Sequence, residues 1–310
     1  MISPVADLDA ILNGTRRAVA RAITQIENGL PGADALVDAL YPHTGRAWRI
    51  GVTGPPGAGK STLVDRLVAA FRQRDQTVAV VAVDPSSPFT GGAILGDRVR
   101  MDRHADDDGV FVRSLAARGA LGGLSEAAEA ACDVFDAAGY DIVILETVGV
   151  GQGEIDVAEA ADTVLVVLVP QSGDAVQAMK AGLMEVASVF AVNKSDHPDA
   201  PALVRALRQA LHLRPEADWA IPVARVSALH GEGIDELVTH LDAHRGHLMP
   251  SWEALQAARL RRRVRRLVEA SWRRSFWADG RLDALEEAIR QLDPEDRAPH
   301  RLAEHVLGSV

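Results

Sequence analysis

From about residue 46 the chain alternates two patterns. Short runs rich in valine and isoleucine recur at WRIGVTG (48–54), TVAVVAV (77–83), GVFVRSL (109–115), YDIVILET (140–147), DTVLVVLVP (162–170), ASVFAVNK (187–194) and IPVARVSA (221–228). Most are separated by stretches of helical spacing, such as STLVDRLVAAFRQR (61–74) and EAAEAACDVFDAAG (126–139). The short apolar runs predict strands and the spaced stretches predict helices. Several runs are apolar on both faces, as expected where helices cover both sides of a parallel sheet. The alternation predicts an α/β fold built on a doubly wound, mostly parallel sheet.

The flanks read differently. Residues 5–42 are helical in pattern: in RRAVARAITQI (16–26), Val19, Ile23 and Ile26 share one helical face. Gly29, Pro31 and Gly32 break that segment, and ADALVDAL forms a further short helix. After Pro250 the strand signals stop, and 251–308 is helical with interruptions near residues 279–280 and at Pro294. The expected organisation is a helical extension over 1–45, an α/β domain over 46–248 and a helical arm over 249–310. A helical tail beyond a complete α/β domain points to assembly.

Composition narrows the function. The formal net charge of −10 argues against a general nucleic-acid or anionic-membrane binder. Cys132 is the one cysteine, so an intrachain disulfide is excluded, and the expected compartment is reducing. The longest apolar run, VLVVLVP (164–170), is of strand length, against the roughly 20 residues that span a bilayer. MISPVADLDA carries two aspartates and no positive flank, unlike a secretory signal. A cytoplasmic location is the expectation.

GPPGAGKS, residues 54–61, fits the P-loop pattern G-x-x-x-x-G-K-[ST] and stands between a predicted strand and a predicted helix, which is the context the motif requires. Backbone N–H groups of Gly57, Ala58, Gly59, Lys60, Ser61 and Thr62 are expected to wrap a phosphate chain. Lys60 places a compact charge between the β- and γ-phosphates, and Ser61 is a Mg²⁺ ligand. AVNKSD (191–196) ends another predicted strand and matches N-K-x-D. Asp196 can accept hydrogen bonds from guanine N1–H and the 2-amino group; adenine offers neither, so the pattern selects GTP and GDP. Asn193 braces the neighbouring loop and contacts the base, and the stem of Lys194 lies along the base plane. In VSAL (226–229), Ser227 and Ala228 are expected to offer backbone N–H groups to the guanine carbonyl.

Acidic residues at strand ends complete the set. In ETVG (146–149), Glu146 can hold the Mg²⁺ shell and the N–H of Gly149 can sense the γ-phosphate. Gln152 either orients the attacking water or is a polar loop residue. Asp84 and Asp97 read as Mg²⁺-site carboxylates or as helix caps. Of 33 basic residues only Lys60, Lys180 and Lys194 are lysine. Two of these lie in nucleotide motifs, which marks Lys180 as a third nucleotide-handling residue; a solvated helix lysine is the alternative.

VTGPPGAGKSTL, VAVDPSSPFTGGAILGDRVRM, RGALGGLS, ETVGVGQGE and NKSD, in this order, resemble the MeaB/ArgK/MMAA family, as does RAITQIENG near the N-terminus. These are P-loop GTPases that act as chaperones of cobalamin-dependent acyl-CoA mutases. The resemblance spans roughly residues 16–245, with Gly153, Ala175 and Met179 departing from the family's usual residues. It implies a homodimer whose slow GTP hydrolysis is accelerated by the mutase. It further implies that the protein protects the mutase and gates delivery of intact adenosylcobalamin. The segments 84–101, 146–155 and 171–182, the last holding Asp174 and Lys180, are then nucleotide-responsive switches.

Other signals point elsewhere. His240, His244 and His247 have metal-binding spacing, but no cysteine accompanies them and a plain helix end fits as well. RLRRRVRRLVEASWRRSFW (259–277) is basic, yet Leu260, Val264, Leu267, Val268, Trp272 and Phe276 line one face, as in a helix that packs on the core or on a second subunit. A metal-insertion GTPase would need a donor site rich in thiols or histidines. An ATP-dependent kinase is opposed by N-K-x-D.

Overall fold

The structure is a computed structural model; it describes residues 4–84, 103–104, 106–116, 126–147, 153–170, 182–215, 218–278, 280–291 and 297–308. The chain divides into two units, Met1–Trp252 and Glu253–Val310. Among the described residues the first is built on seven parallel strands: β1 (Trp48–Thr53), β2 (Val78–Asp84), β3 (Val110–Ala116), β4 (Ile142–Thr147), β5 (Thr163–Leu168), β6 (Val189–Val192) and β7 (Val223–Arg225). Each overlaps one of the apolar runs. Their order is β3-β2-β4-β1-β5-β6-β7, with every neighbouring pair parallel. All carboxyl ends therefore reach one edge, and the chain leaves β1 between β4 and β5, the place where such sheets open a crevice for ligands.

Both faces of the sheet are covered, which is why its central strands are apolar on both sides. On one face Trp48, Ile50 and Val52 pack with Leu63, Leu67 and Phe71 of α4 (Lys60–Arg72) and with Leu237 and Leu241 of a helix over Ile234–Leu248. On the other face Val81, Val143 and Leu145 meet Ala131, Val134 and Phe135 of Glu126–Ala137. Helices α1 (Pro4–Leu12), α2 (Arg16–Glu27) and α3 (Ala33–Leu40) share that cluster through Ile11, Val19, Ile23, Leu36 and Leu40. Burial of each such side chain contributes roughly 1.5–3 kcal/mol. The N-terminal helices thus form part of the first unit's core. They also close the edge of the sheet: Arg16 Nη1 donates to the Val110 carbonyl at 2.7 Å, and Arg113 pairs with Glu27 at 2.7 Å.

A buried charge cluster fixes where β1 begins. Asp136 is fully buried and accepts the N–H groups of Gly45 (2.8 Å), Arg46 (3.1 Å) and Ala47 (2.9 Å). Arg49, on β1, donates to Asp133 at 2.7 Å and lies 3.5 Å from Asp136, while its backbone N–H donates to Asp162 at 2.9 Å. Burial pushes the Arg49 guanidinium down, but Asp133 and the neighbouring anionic groups outweigh it and hold the group charged. The strand that feeds the phosphate loop is anchored at its start by three carboxylates.

The second unit is helical: Trp252–Ala278, which begins at the last residue of the first unit, then Arg281–Gln291 and Pro299–Gly308. On the long helix the apolar side chains of Val264, Val268 and Trp272 are exposed, Trp272 to 65%. No helix among the described residues is long and apolar enough to cross a membrane.

Candidate active site

The loop after β1 turns on glycines whose backbone conformation and close neighbours disfavour any side chain. Gly54 has φ of 138°, and a Cβ there would lie 2.0 Å from the Val167 carbonyl oxygen. Gly59 has φ of 82°, and its Cβ would lie 2.5 Å from Asn193 Nδ2. Lys60 opens α4 and is 6% exposed; its Nζ donates to the carbonyls of Gly54 (2.8 Å) and Pro55 (3.1 Å), spanning the loop. Ser61 and Thr62 follow on the first turn of α4, and a helix N-terminus is the end of a helix that favours an anion. Ala58, between the two glycines of the loop's tip, is fully buried.

Strand pairing brings the acidic residue to the loop. Glu146 on β4 stands beside Val52 of β1 in register. Its Oε1 accepts the Ser61 hydroxyl at 2.6 Å, with both residues buried. This is a short, charge-assisted bond. The hydroxyl and the carboxylate are hard-oxygen groups of the kind that Mg²⁺ takes as ligands.

The N-K-x-D segment is tied to the same loop. Asn193 is 3% exposed; its Nδ2 donates to the Ala58 carbonyl at 2.8 Å and its Oδ1 accepts the Ala228 N–H at 3.0 Å. Lys194 holds the left-handed φ of 56°, rare for a residue with a side chain, and its Nζ donates to the Gly57 carbonyl at 3.1 Å. Asp196 Oδ1 accepts the Ser227 hydroxyl at 3.1 Å. Its own backbone N–H first, and then the Ser227 hydroxyl, hold the Asp196 carboxyl below the usual carboxylate range, so it is an ionised acceptor at neutral pH. The N–H of Ser227 donates to the Glu232 carbonyl at 3.0 Å, and that of Ala228 to Asn193. Both backbone donors expected to meet the guanine carbonyl therefore have partners within the chain.

The structure thus gathers Gly57, Ala58, Gly59, Lys60, Ser61, Glu146, Asn193, Lys194, Asp196, Ser227 and Ala228 along one edge. Asp84 ends β2 opposite Ala116 at that edge, with only its backbone described. Asp97, Gly149, Gln152, Asp174 and Lys180 lie outside the described residues. Of the three histidines with metal-like spacing, His244 is buried with Nδ1 2.9 Å from Thr163 Oγ1, and His240 lies 3.6 Å from Glu236. Arg66 on α4 also reaches the site, and no motif announced it: it is one arginine among many until the fold sets it against the 227–229 loop.

A family described as "Methylmalonyl Co-A mutase-associated GTPase MeaB" matches residues 19–280. The chain belongs to the MeaB family. It is accordingly a GTPase that binds guanine nucleotide and hydrolyses GTP to GDP and phosphate. A Pyrococcus abyssi protein named as a candidate GTPase is 43% identical over 309 residues, covering 98% of this chain and 95% of that one. The GTPase ArgK of Escherichia coli is 42% identical over 233 residues, covering 72% and 70%. Among solved structures, a crystal structure of a protein titled LAO/AO transport system kinase superposes with a TM-score of 0.76 at 28% identity, covering 98% of this chain and 96% of that one. The MeaB match takes in the phosphate loop, Glu146 and the N-K-x-D segment together, and the likeness to the solved structure extends over the P-loop fold that carries them.

Proposed function

We propose that this MeaB-family GTPase is a chaperone of a cobalamin-dependent acyl-CoA mutase, protecting the enzyme and gating its loading with adenosylcobalamin. The observation that carries this is the family match over residues 19–280, a family described by its association with methylmalonyl-CoA mutase. The topology supplies a means. β2, β4 and β5 end at the edge where β1 gives way to the phosphate loop, which supports the reading of the segments 84–101, 146–155 and 171–182 as switches. A γ-phosphate that biases those segments biases whatever partner binds them.

In this reading the backbone of 57–62 and Lys60 hold the phosphates, Asn193 and Lys194 brace the base-binding side, and Asp196 reads N1–H and the 2-amino group. Ser61 and Glu146 fit Mg²⁺, being a hydroxyl and a carboxylate of hard-oxygen type, with Asp84 and Asp97 completing the set. When bound, Mg²⁺ neutralises charge on the β- and γ-phosphates. Gln152 orients the water that adds to the γ-phosphorus as its bond to the bridging oxygen breaks, and the Gly149 N–H registers the γ-phosphate. Lys180 supplies positive charge once a partner resets 171–182. The exposed face of Val264, Val268 and Trp272 supports a homodimer built through the arm after residue 249, and the single cysteine supports a cytoplasmic site of action.

The test is GTP hydrolysis with and without saturating methylmalonyl-, isobutyryl- or ethylmalonyl-CoA mutase. One of them should stimulate the rate, and Lys180→Ala should keep the slow intrinsic rate but lose on the order of 10–100-fold of the stimulated one. If none of the three stimulates hydrolysis or co-purifies with the protein, the chaperone reading fails.

A further inference from the structure

Arg66 lies on α4, five positions beyond Ser61. Its Nε donates to the Ala228 carbonyl at 2.9 Å and its Nη2 to the Leu229 carbonyl at 2.9 Å. One planar fork therefore grips two consecutive carbonyls of the loop that follows β7, a geometry that suits guanidinium rather than ammonium. Within that loop the Ser227 N–H is spent on the Glu232 carbonyl and the Ala228 N–H on Asn193 Oδ1. Among the described residues the Leu229 N–H has no hydrogen-bond partner. The Leu229 side chain is 73% exposed, so packing does not orient this peptide. In a trans peptide the C=O and N–H bonds point in opposite directions. By drawing the Ala228 carbonyl towards α4, Arg66 turns the Leu229 N–H away from α4.

We infer that Arg66 is a positioning residue for base recognition, holding the Ala228–Leu229 peptide so that the Leu229 N–H meets the 6-oxo group of guanine. This rests on the reading that Asp196 and the 227–229 loop hold the base. It moves the carbonyl-reading donor one residue beyond Ala228. It also gives a second source of discrimination against adenine, whose 6-amino group would set donor against donor. Because Arg66 belongs to the helix that the phosphate loop opens, base reading and phosphate holding are cross-linked through one side chain.

The experiment is equilibrium binding of GDP, inosine diphosphate and 2-aminopurine-riboside diphosphate to wild type, Arg66→Ala, Arg66→Lys and Asp196→Asn. The 2-aminopurine nucleotide lacks the 6-oxo group. It also lacks N1–H, but that loss is common to wild type and the Arg66 variants and cancels in the ratio. Arg66→Ala should weaken GDP on the order of tenfold and the 2-aminopurine nucleotide by less than about twofold. The GDP-to-inosine ratio should hold, since Asp196 still meets the 2-amino group. The kcat at saturating GTP should change by less than about twofold while KM rises, as expected when only binding is loosened. Arg66→Lys, with a single ammonium for two carbonyls, should recover part of the GDP affinity; it carries the same ratio test if the alanine variant does not fold. Equal weakening of both nucleotides would show a merely structural role and overturn the inference, as would unchanged GDP affinity. Asp196→Asn should collapse the GDP-to-inosine ratio; if it does not, the base reading fails and this inference with it.

Discussion

Gly59→Ala is expected to destabilise the protein chiefly through Asn193. A left-handed backbone costs an L-residue roughly 1–2 kcal/mol. The added Cβ would also stand 2.5 Å from Asn193 Nδ2. Asn193 is 3% exposed, so its amide has no solvent to swing into. Pushed aside, it gives up the bonds to the Ala58 carbonyl and from the Ala228 N–H. Both partner residues are buried, so each backbone group is left unsatisfied at a cost of about 1–3 kcal/mol. The total is roughly 3–8 kcal/mol, a large share of a domain's margin. In an Asn193→Ala background the collision is gone and those bonds are already lost, so the same glycine substitution should cost only the ~1–2 kcal/mol of backbone strain. Urea unfolding of wild type, both single variants and the double variant, without nucleotide, measures the coupling. It should be about 2–6 kcal/mol, far outside the ~0.5 kcal/mol expected of independent sites. Additive losses would mean that Gly59 is required by its φ alone and that Asn193 does not brace the phosphate loop.

Three further outcomes are expected. Lys60→Arg should lower GTP hydrolysis roughly 100-fold despite keeping the charge, since a buried Nζ that bridges two loop carbonyls leaves no room for a planar fork; normal turnover in that variant would refute the placement of the phosphates. Asp136→Ala should cost about 3–5 kcal/mol in a urea titration, because the N–H groups of Gly45, Arg46 and Ala47 and the Arg49 charge lose a buried acceptor; an unchanged midpoint would show that the start of β1 is held some other way. Burial, and secondarily His247, push His244 from 6.5 down to about 4. Between those values the unfolded chain takes up a proton that the folded ring refuses, so stability should fall as pH drops through this window. His244→Gln should flatten that dependence in thermal unfolding, and an equally steep fall in the variant would assign it to other groups.

The seven strands, the phosphate loop and the N-K-x-D turn were legible in the amino-acid sequence because each is a local pattern. Strand length and apolar content mark β1 to β7, and Gly54, Gly59, Lys60 and Ser61 carry their meaning in their spacing. The helices of 5–42 were equally visible as helices, but their membership of the sheet's core was not. Nor could the sequence show that β1 lies between β4 and β5, and it is this order that places Glu146 on the Ser61 hydroxyl across 85 positions of chain. Asp136 reads as one more acid on a helix, and Arg66 as one more arginine. Their roles come from backbone groups of residues 45–47 and 228–229, which any amino acid could present and which leave no trace in residue identity. The exception to local legibility is the loop over 227–229, proposed above to read the base. The sequence pattern of VSAL marks Ser227 and Ala228, but their N–H groups are taken up by the Glu232 carbonyl and by Asn193 Oδ1, and only three-dimensional packing decides how a hydrogen bond's two ends meet.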